Sequence, residues 1–404
     1  MLRTGFFTAL AVAMVAVLCS SCSPAGRAAA PSDVVVIGSL ESLTGTFSSI
    51  GQGDSGGLKL ITKQINAGGG FRVNGKRYTL DLVQADAASD PATTHAQAMA
   101  LIRDQGARFV FGPSETPEAL AAQSTTSVAG ALWFSSSLGI ANSLASVGPS
   151  TTLNRYSYSV GMPTKDAANT AISGLTMLEP GLKSAAILWP DDSSYDAEVS
   201  DIQAALHRAG IDVLTTIRFD PSTTDFTPLL TRLRVQAPTL IVSGASAQPT
   251  TAIEQQMVAL GFGHSTLFGF GGASGNAVVT SGHPVPFPFV YPTSGGLDAH
   301  VDMPKVTNLF ADYRKYNGVP APADTPFWTL DIPGVQALVA AMQRAGTVSD
   351  AASIQKALLQ VSVPTPLGAF SFKSNHLGTL RNTVCRADNG SIKCVVVPVT
   401  SPGP

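Results

Sequence analysis

From Val34 onward, short apolar runs alternate with longer amphipathic stretches. Residues 34–37 read as a buried strand, and Leu58, Ile61 and Ile65 recur at helical spacing until Gly68-Gly69-Gly70 stops the helix. Leu80, Leu82 and Val83 give a second strand, residues 109–111 a third and residues 132–134 a fourth. Between them, Asp90-Pro91 places an N-cap carboxylate before a proline at the first helical position, which opens a helix to about Gln105. A further helix is expected over 117–128. Beyond Val160 the alternation restarts, with helices at 165–178, 195–209, 227–235 and 250–260 separating strands at 185–188, 213–217, 240–242 and 267–268. The proline-rich stretch 283–292 breaks the pattern; helices follow at 306–316 and 335–345, and the tail reads as a β-hairpin. Strands separated by helices imply βαβ units and parallel sheets covered on both faces. Two such runs predict an α/β fold of two Rossmann-like lobes.

The hairpin carries its own chemistry. Asn389-Gly390 suits a two-residue turn in which both residues take positive φ, and in that register Cys385 and Cys394 face each other. They fall at a non-hydrogen-bonded pair, where Cα atoms lie ~4.5 Å apart and a disulfide can close. A disulfide requires an oxidising compartment. The N-terminus agrees, because Arg3 precedes an apolar run of about 13 residues, short of the ~20 that span a bilayer, and small residues follow. Residues 1–21 are therefore expected to be an export signal and 22–32 a linker. Ser20-Ser21-Cys22 resembles a bacterial lipobox, with Cys19 where leucine usually stands, which implies a lipid on Cys22 and a membrane-anchored, exported protein.

Composition narrows the function class. At roughly 150 residues per domain, 404 residues suggest two or three domains. Charged residues are only 13%, and 25 Lys+Arg against 27 Asp+Glu leave no overall basic footprint for nucleic acid. Gly53-Asp54-Ser55-Gly56-Gly57 spells a serine-protease signature, but it comes early, opens a helix and has no histidine before it. The overlapping Gly51, Gly53 and Gly56 match a dinucleotide fingerprint, yet a dozen residues separate them from the preceding strand. The histidines at 95, 207, 264, 283, 300 and 376 have no metal-ligand spacing, so neither metal nor cofactor is expected.

Val36-Ile37-Gly38, Leu43-Thr44-Gly45, Ile65-Asn66-Ala67-Gly68-Gly69, Asp86 with Asp90-Pro91, and Phe111-Gly112-Pro113-Ser114 follow one another in a characteristic order and spacing. In this the chain resembles the type I periplasmic binding proteins of the leucine/isoleucine/valine family, the extracellular solute receptors of ABC importers. The resemblance implies a monomer of two lobes joined by three crossovers, near 156–160, 289–293 and 361–366. Lobe 1 would comprise 33–155 and 293–362, and lobe 2 would comprise 156–292 and 363–404. An amino acid or a related small polar ligand, such as an amide or carboxylate, would sit in the cleft between them, and closure would signal to a permease and its ATPase without catalysis.

Strand ends nominate the contacts, since ligands of open parallel sheets bind outside the carboxyl ends of the strands. Ser114, Glu115 and Thr116 follow the third strand, and Ser136 and Ser137 follow the fourth. In the similar family, hydroxyls at these places hold an amino-acid carboxylate. Ser49 lies after the first strand, and Tyr195 in Asp191-Asp192-Ser193-Ser194-Tyr195 matches the segment whose tyrosine lies on the ligand in relatives. Phe47, Trp133 and Trp328 are candidate aromatic walls. The family's ammonium-binding acid would fall near Gly271, where this chain has none, so Glu115 or Asp191 replaces it or the ligand has no α-ammonium. Recognition is expected to rest on hydroxyls, backbone N–H groups and rings, with few ions. Two other readings stand beside this one: a ligand-sensing lipoprotein of the same fold coupled to another membrane partner, and a hydrolase using Ser55 or another hydroxyl, which needs a histidine within reach of that hydroxyl.

Overall fold

A computed structural model describes residues 33–245, 247–270, 285–293, 304–322, 327–366, 368–379, 381–388 and 391–397. The expected Gly271, Cys22 and the Asn389-Gly390 turn lie outside these residues. The chain begins with β1 (Val34–Glu41), α1 (Ser48–Ala67), β2 (Phe71–Val73), β3 (Lys76–Asp86), α2 (Pro91–Arg103), β4 (Phe109–Phe111), α3 (Thr116–Ala129), β5 (Leu132–Ser135), α4 (Leu138–Val147) and β6 (Ser157–Ser159). It continues with α5 (Thr164–Leu178), β7 (Ser184–Pro190), α6 (Asp196–Arg208), β8 (Asp212–Phe219), α7 (Thr227–Gln236), β9 (Leu240–Ser243), α8 (Ala247–Ala259), β10 (Thr266–Gly269) and β11 (Phe289–Pro292). The last part holds α9 (Pro304–Asn317), α10 (Trp328–Ala345), α11 (Ala351–Leu358), β12 (Val363–Thr365), β13 (Gly368–Phe370), β14 (Asn382–Asp388) and β15 (Ser391–Val397).

Two large sheets result, in the orders β2-β3-β1-β4-β5-β6 and β15-β14-β11-β10-β9-β7-β8. In the first, β1, β3, β4, β5 and β6 run parallel and β2 closes the edge as a hairpin with β3. In the second, β7 to β11 are parallel, and β14 and β15 add an antiparallel edge. Both sheets are covered on both faces, which is why their strands read as continuous apolar runs. The first sheet changes winding direction between β1 and β4, and the second between β7 and β9. A crevice forms at such switch points.

Local chemistry explains most boundaries. Asp90 accepts a hydrogen bond from Thr93 N at 2.7 Å and caps α2, with Pro91 behind it. Gly130, at φ +67°, ends α3 in a left-handed cap. The β2–β3 hairpin turns on Asn74 and Gly75, at φ 47° and 81°, the same dipeptide signal as at the tail. This hairpin and α4 are additions to the elements expected from the apolar pattern. Helix α10 starts seven residues before the expected 335, because Pro333 sits inside it and masks its first two turns.

Two lobe boundaries differ from expectation. Residues 157–159, expected to open the second lobe, pair with β5 as the last strand of the first sheet. Val363, Phe370 and Phe372, expected in the second lobe, are buried in the first core with Phe134 and Tyr158. The chain returns to the second sheet only after Leu377. There Ser159 N donates to His376 O (3.0 Å) and Gly378 N donates to Ser159 O (2.8 Å), so the first and third crossovers leave side by side.

Cys385 and Cys394 face each other in the β14–β15 register and are joined by a disulfide, with Cα atoms 4.0 Å apart. By the entropy of closing a loop of this length, reducing it should cost about 2–3 kcal/mol. Denaturant unfolding of oxidised and Cys394→Ala protein checks this, and equal midpoints would refute it.

Candidate functional site

The loop after β1 is tied down by Asp86. Leu43 N (2.9 Å), Thr44 N (3.2 Å) and Thr44 Oγ1 (2.7 Å) all donate to its carboxylate. Burial alone would raise the Asp86 pKa, but these bonds and one from Ala88 N together pull it below the usual carboxylate range. Gly45, at φ +85°, lies so close to Ala88 and Ser89 that a side chain there would collide with them. The Leu-Thr-Gly and Asp motifs are thus two halves of one clamp. It fixes Phe47, whose N–H donates to Ser89 Oγ at 3.0 Å, and exposed Ser49 at the mouth of α1.

The hydroxyls nominated from the first lobe do come together. Ser136 Oγ donates to Ser114 Oγ at 2.7 Å, and Ser114 Oγ donates in turn to Asp54 Oδ2. Thr116 Oγ1 and Ser137 Oγ are 3.0 Å apart, and Gly139 N donates to Thr116 Oγ1 at 3.3 Å. Ser135 Oγ donates to Pro113 O at 2.8 Å. Ser114 and Thr116 remain partly exposed, while Ser136 and Ser137 are buried behind them. The relay spends its protons inward, toward a buried carboxylate.

Tyr195 and Asp191 follow β7 at the second switch point, and Glu198 stands one turn into α6. Burial raises the Tyr195 pKa, and the charges of Glu115, Glu198 and Asp192 raise it further. Burial and then the charges of Glu115 and Asp201 push Glu198 up to about 7. Glu115, half-buried, is likewise pushed up to about 7 by burial and then by Glu118. Among the described residues, the charges acting on Glu115, Glu198 and Tyr195 are therefore all carboxylates. The expectation of a site with few ions is corrected here. Glu198 was missed because one acid in an amphipathic helix has no sequence signal of its own.

The nominated tryptophans do not line this crevice. Trp328 is 0% exposed, packed against Phe310 and Tyr313 with ring centroids 5.0 and 4.7 Å away. Trp133 is equally buried, and its indole N–H donates to Gly112 O at 2.6 Å. Among the described residues, Ser55 Oγ meets Ser39 Oγ and Gln84 Nε2, neither of which can act as the base a hydrolase needs.

A second acidic group lies directly behind Ser114. Glu41 at the end of β1, Asp54 in α1 and Asp331 in α10 each place a carboxylate oxygen within 4.8 Å of the others. They are 1%, 1% and 3% exposed. Burial and then neighbouring carboxylates hold Glu41 and Asp331 far above the usual range, and burial takes Asp54 to about 7. None of the three stands among the residues expected at the site. The available signal was an acid interrupting an otherwise apolar strand or helix face.

Comparison with known proteins agrees with this architecture. The sequence profile of a family described as "Periplasmic binding protein" matches residues 34–391. The "Leu/Ile/Val-binding protein homolog 8" of Brucella abortus is 25% identical over 245 residues, a match covering 59% of this chain and 58% of that relative. The structure of LivJ from Streptococcus pneumoniae, a branched-chain amino acid transporter substrate binding protein in complex with isoleucine, superposes with a TM-score of 0.71 at 19% identity, over 90% of this chain and 99% of that one. An ABC transporter solute binding protein from R. palustris in complex with 4-hydroxybenzoate gives 0.69 at 18% identity, over 91% and 96% of the two chains. The two-sheet topology, its switch-point crevice and the profile match across both sheets lead to one assignment: the chain belongs to the periplasmic binding protein family.

Proposed function

We propose that this chain is the extracytoplasmic solute receptor of an ABC importer. In this reading it is lipid-anchored through Cys22 and holds a small ammonium-bearing ligand, an amino acid or an amide relative, between its lobes. One observation carries the ligand assignment: Glu115 after β4 lies near enough to Tyr195 and Glu198 after β7 for its charge to act on both, and the charges acting on the three groups among the described residues are carboxylates. An ammonium group supplies the missing opposite charge, so Glu115 takes the role of the acid absent from Gly271. Ser114, Thr116 and Ser49 frame the first-lobe side, with Ser136 and Ser137 holding the first two in place. Lobe closure over the ligand then presents a new surface to the permease. No helix among the described residues is long and apolar enough to cross a membrane.

A thermal-shift screen of the mature chain with amino acids, their amides and hydroxylated benzoates tests the ligand class. Calorimetric titration of the best ligand into Tyr195→Ala and Glu115→Gln should then show affinity about tenfold or more weaker in each, with no lowering of Tm at neutral pH in Glu115→Gln. Unchanged affinity in both variants would sink the cleft assignment. Stabilisation by benzoates alone would replace the ammonium ligand with an anion.

A further inference from the structure

We propose that Glu41, Asp54 and Asp331 form an oxygen-only site for a divalent cation of the calcium class, set behind the cleft in the first lobe. The geometry fits such an ion. Oxygen ligands at 2.3–2.6 Å from one centre lie at most about 5 Å from each other, and the three carboxylate oxygens are mutually within 4.8 Å. Magnesium, which demands a near-ideal octahedral shell and keeps several of its waters, suits a dry group of carboxylates less well. With no nitrogen or sulfur donor in the group, softer metals are disfavoured.

A second observation points to a ligand independently of the clustering. Among the described residues, Glu41 Oε1 and Asp54 Oδ1 have no hydrogen-bond partner, although each belongs to a side chain that is 1% exposed. Buried acceptors in proteins are almost always satisfied, so two orphans at one place indicate a missing partner. None of the ion pairs among the described residues involves Glu41, Asp54 or Asp331, so no arginine or lysine there serves as that partner. Three ionised carboxylates packed together without a cation would be very costly, and a divalent ion removes most of that cost.

The surroundings are built for close approach. Gly112, at φ +79°, has no side chain where the Glu41 carboxylate sits, and a Cβ there would overlap that carboxylate and Leu40 O. Gly57 likewise lets the Trp328 carbonyl lie against α1, which brings the first turn of α10 and Asp331 up to Asp54. Ser114 Oγ, already bonded to Asp54, hangs from the same cluster. The ion would pin β1, α1 and α10 together and, through Asp54, set the position of Ser114 and Ser136 at the cleft.

The test uses the full mature chain. Metal content is measured after purification in calcium-containing buffer, and thermal melts are compared after chelation and after adding calcium, manganese or magnesium. We expect one bound ion per chain and a rise in Tm of about 5 °C or more with millimolar calcium. Asp54→Asn and Asp331→Asn should each abolish that response. Terbium binding, read by luminescence sensitised through Trp328 and Tyr313 and displaced by calcium, decides the matter on unaltered protein if the variants do not fold. Absence of bound metal together with an unchanged Tm in all three ions overturns the site. A calcium response that survives in both variants also overturns it, since the ion would then bind elsewhere.

Discussion

Trp328→Ala is expected to destabilise the protein by about 3–5 kcal/mol while leaving the affinity of the folded protein for its ligand within about twofold. The indole is wholly buried at the first turn of α10, with Phe310 at 5.0 Å and Tyr313 at 4.7 Å from its centroid. Its removal takes apolar surface out of the core and leaves a cavity between α1, α9 and α10. The backbone there cannot easily close that gap, because the Trp328 carbonyl already touches α1 at Gly57. Urea unfolding measures the loss, and calorimetric titration well below the transition measures affinity. Intact stability with lost affinity would return the indole to the cleft.

That contrast marks where the sequence ceased to be legible. The alternation of apolar runs and amphipathic stretches was enough to place both sheets, because strands buried on two faces leave an unbroken apolar signature. The Asn-Gly turn and the cysteine register were equally legible, since a two-residue turn fixes every pair beyond it, and Cys385 does face Cys394. Trp328 was not, because an aromatic after a glycine- and proline-rich stretch looks the same whether it enters a cleft or a core. The lobe boundaries at 156 and 363 moved for a related reason. Three-residue strands such as β6 and β12 are too short to show a period, and only their partners reveal which sheet they join. The acids were hardest to interpret. Glu115 stands out by its place after β4, but nothing in the chain's order announces that Glu198, 83 positions on, lies within range of its charge, or that Glu41, Asp54 and Asp331 meet.

Glu115 and Glu198 should make the ligand-free protein less stable as pH rises from about 5 to 8. Each carboxyl is held at about 7 in the folded protein against an ordinary value of 4.5. Below pH 4.5 the folded and unfolded chains are both protonated and the groups contribute no difference. Between 4.5 and about 7 the folded chain keeps protons that the unfolded chain has released, so stability falls with rising pH and levels off above that window. Allowing for partial exposure, the loss is about 2 kcal/mol per group. Subtracting the stability of the Glu115→Gln/Glu198→Gln double variant at each pH isolates this contribution from the other buried acids, and a difference that does not vary with pH would refute it. Ligand changes the expectation in a signed way. An ammonium group placed between the two carboxylates favours their charged forms, so binding near pH 6.5 should release protons, whereas an anion placed there would take protons up. Titration in buffers of different ionisation enthalpy reads that sign directly. Proton uptake would mean that the cleft neutralises its own acids to accept a carboxylate, which would remove the ammonium from the ligand assignment while leaving the two-lobed receptor in place.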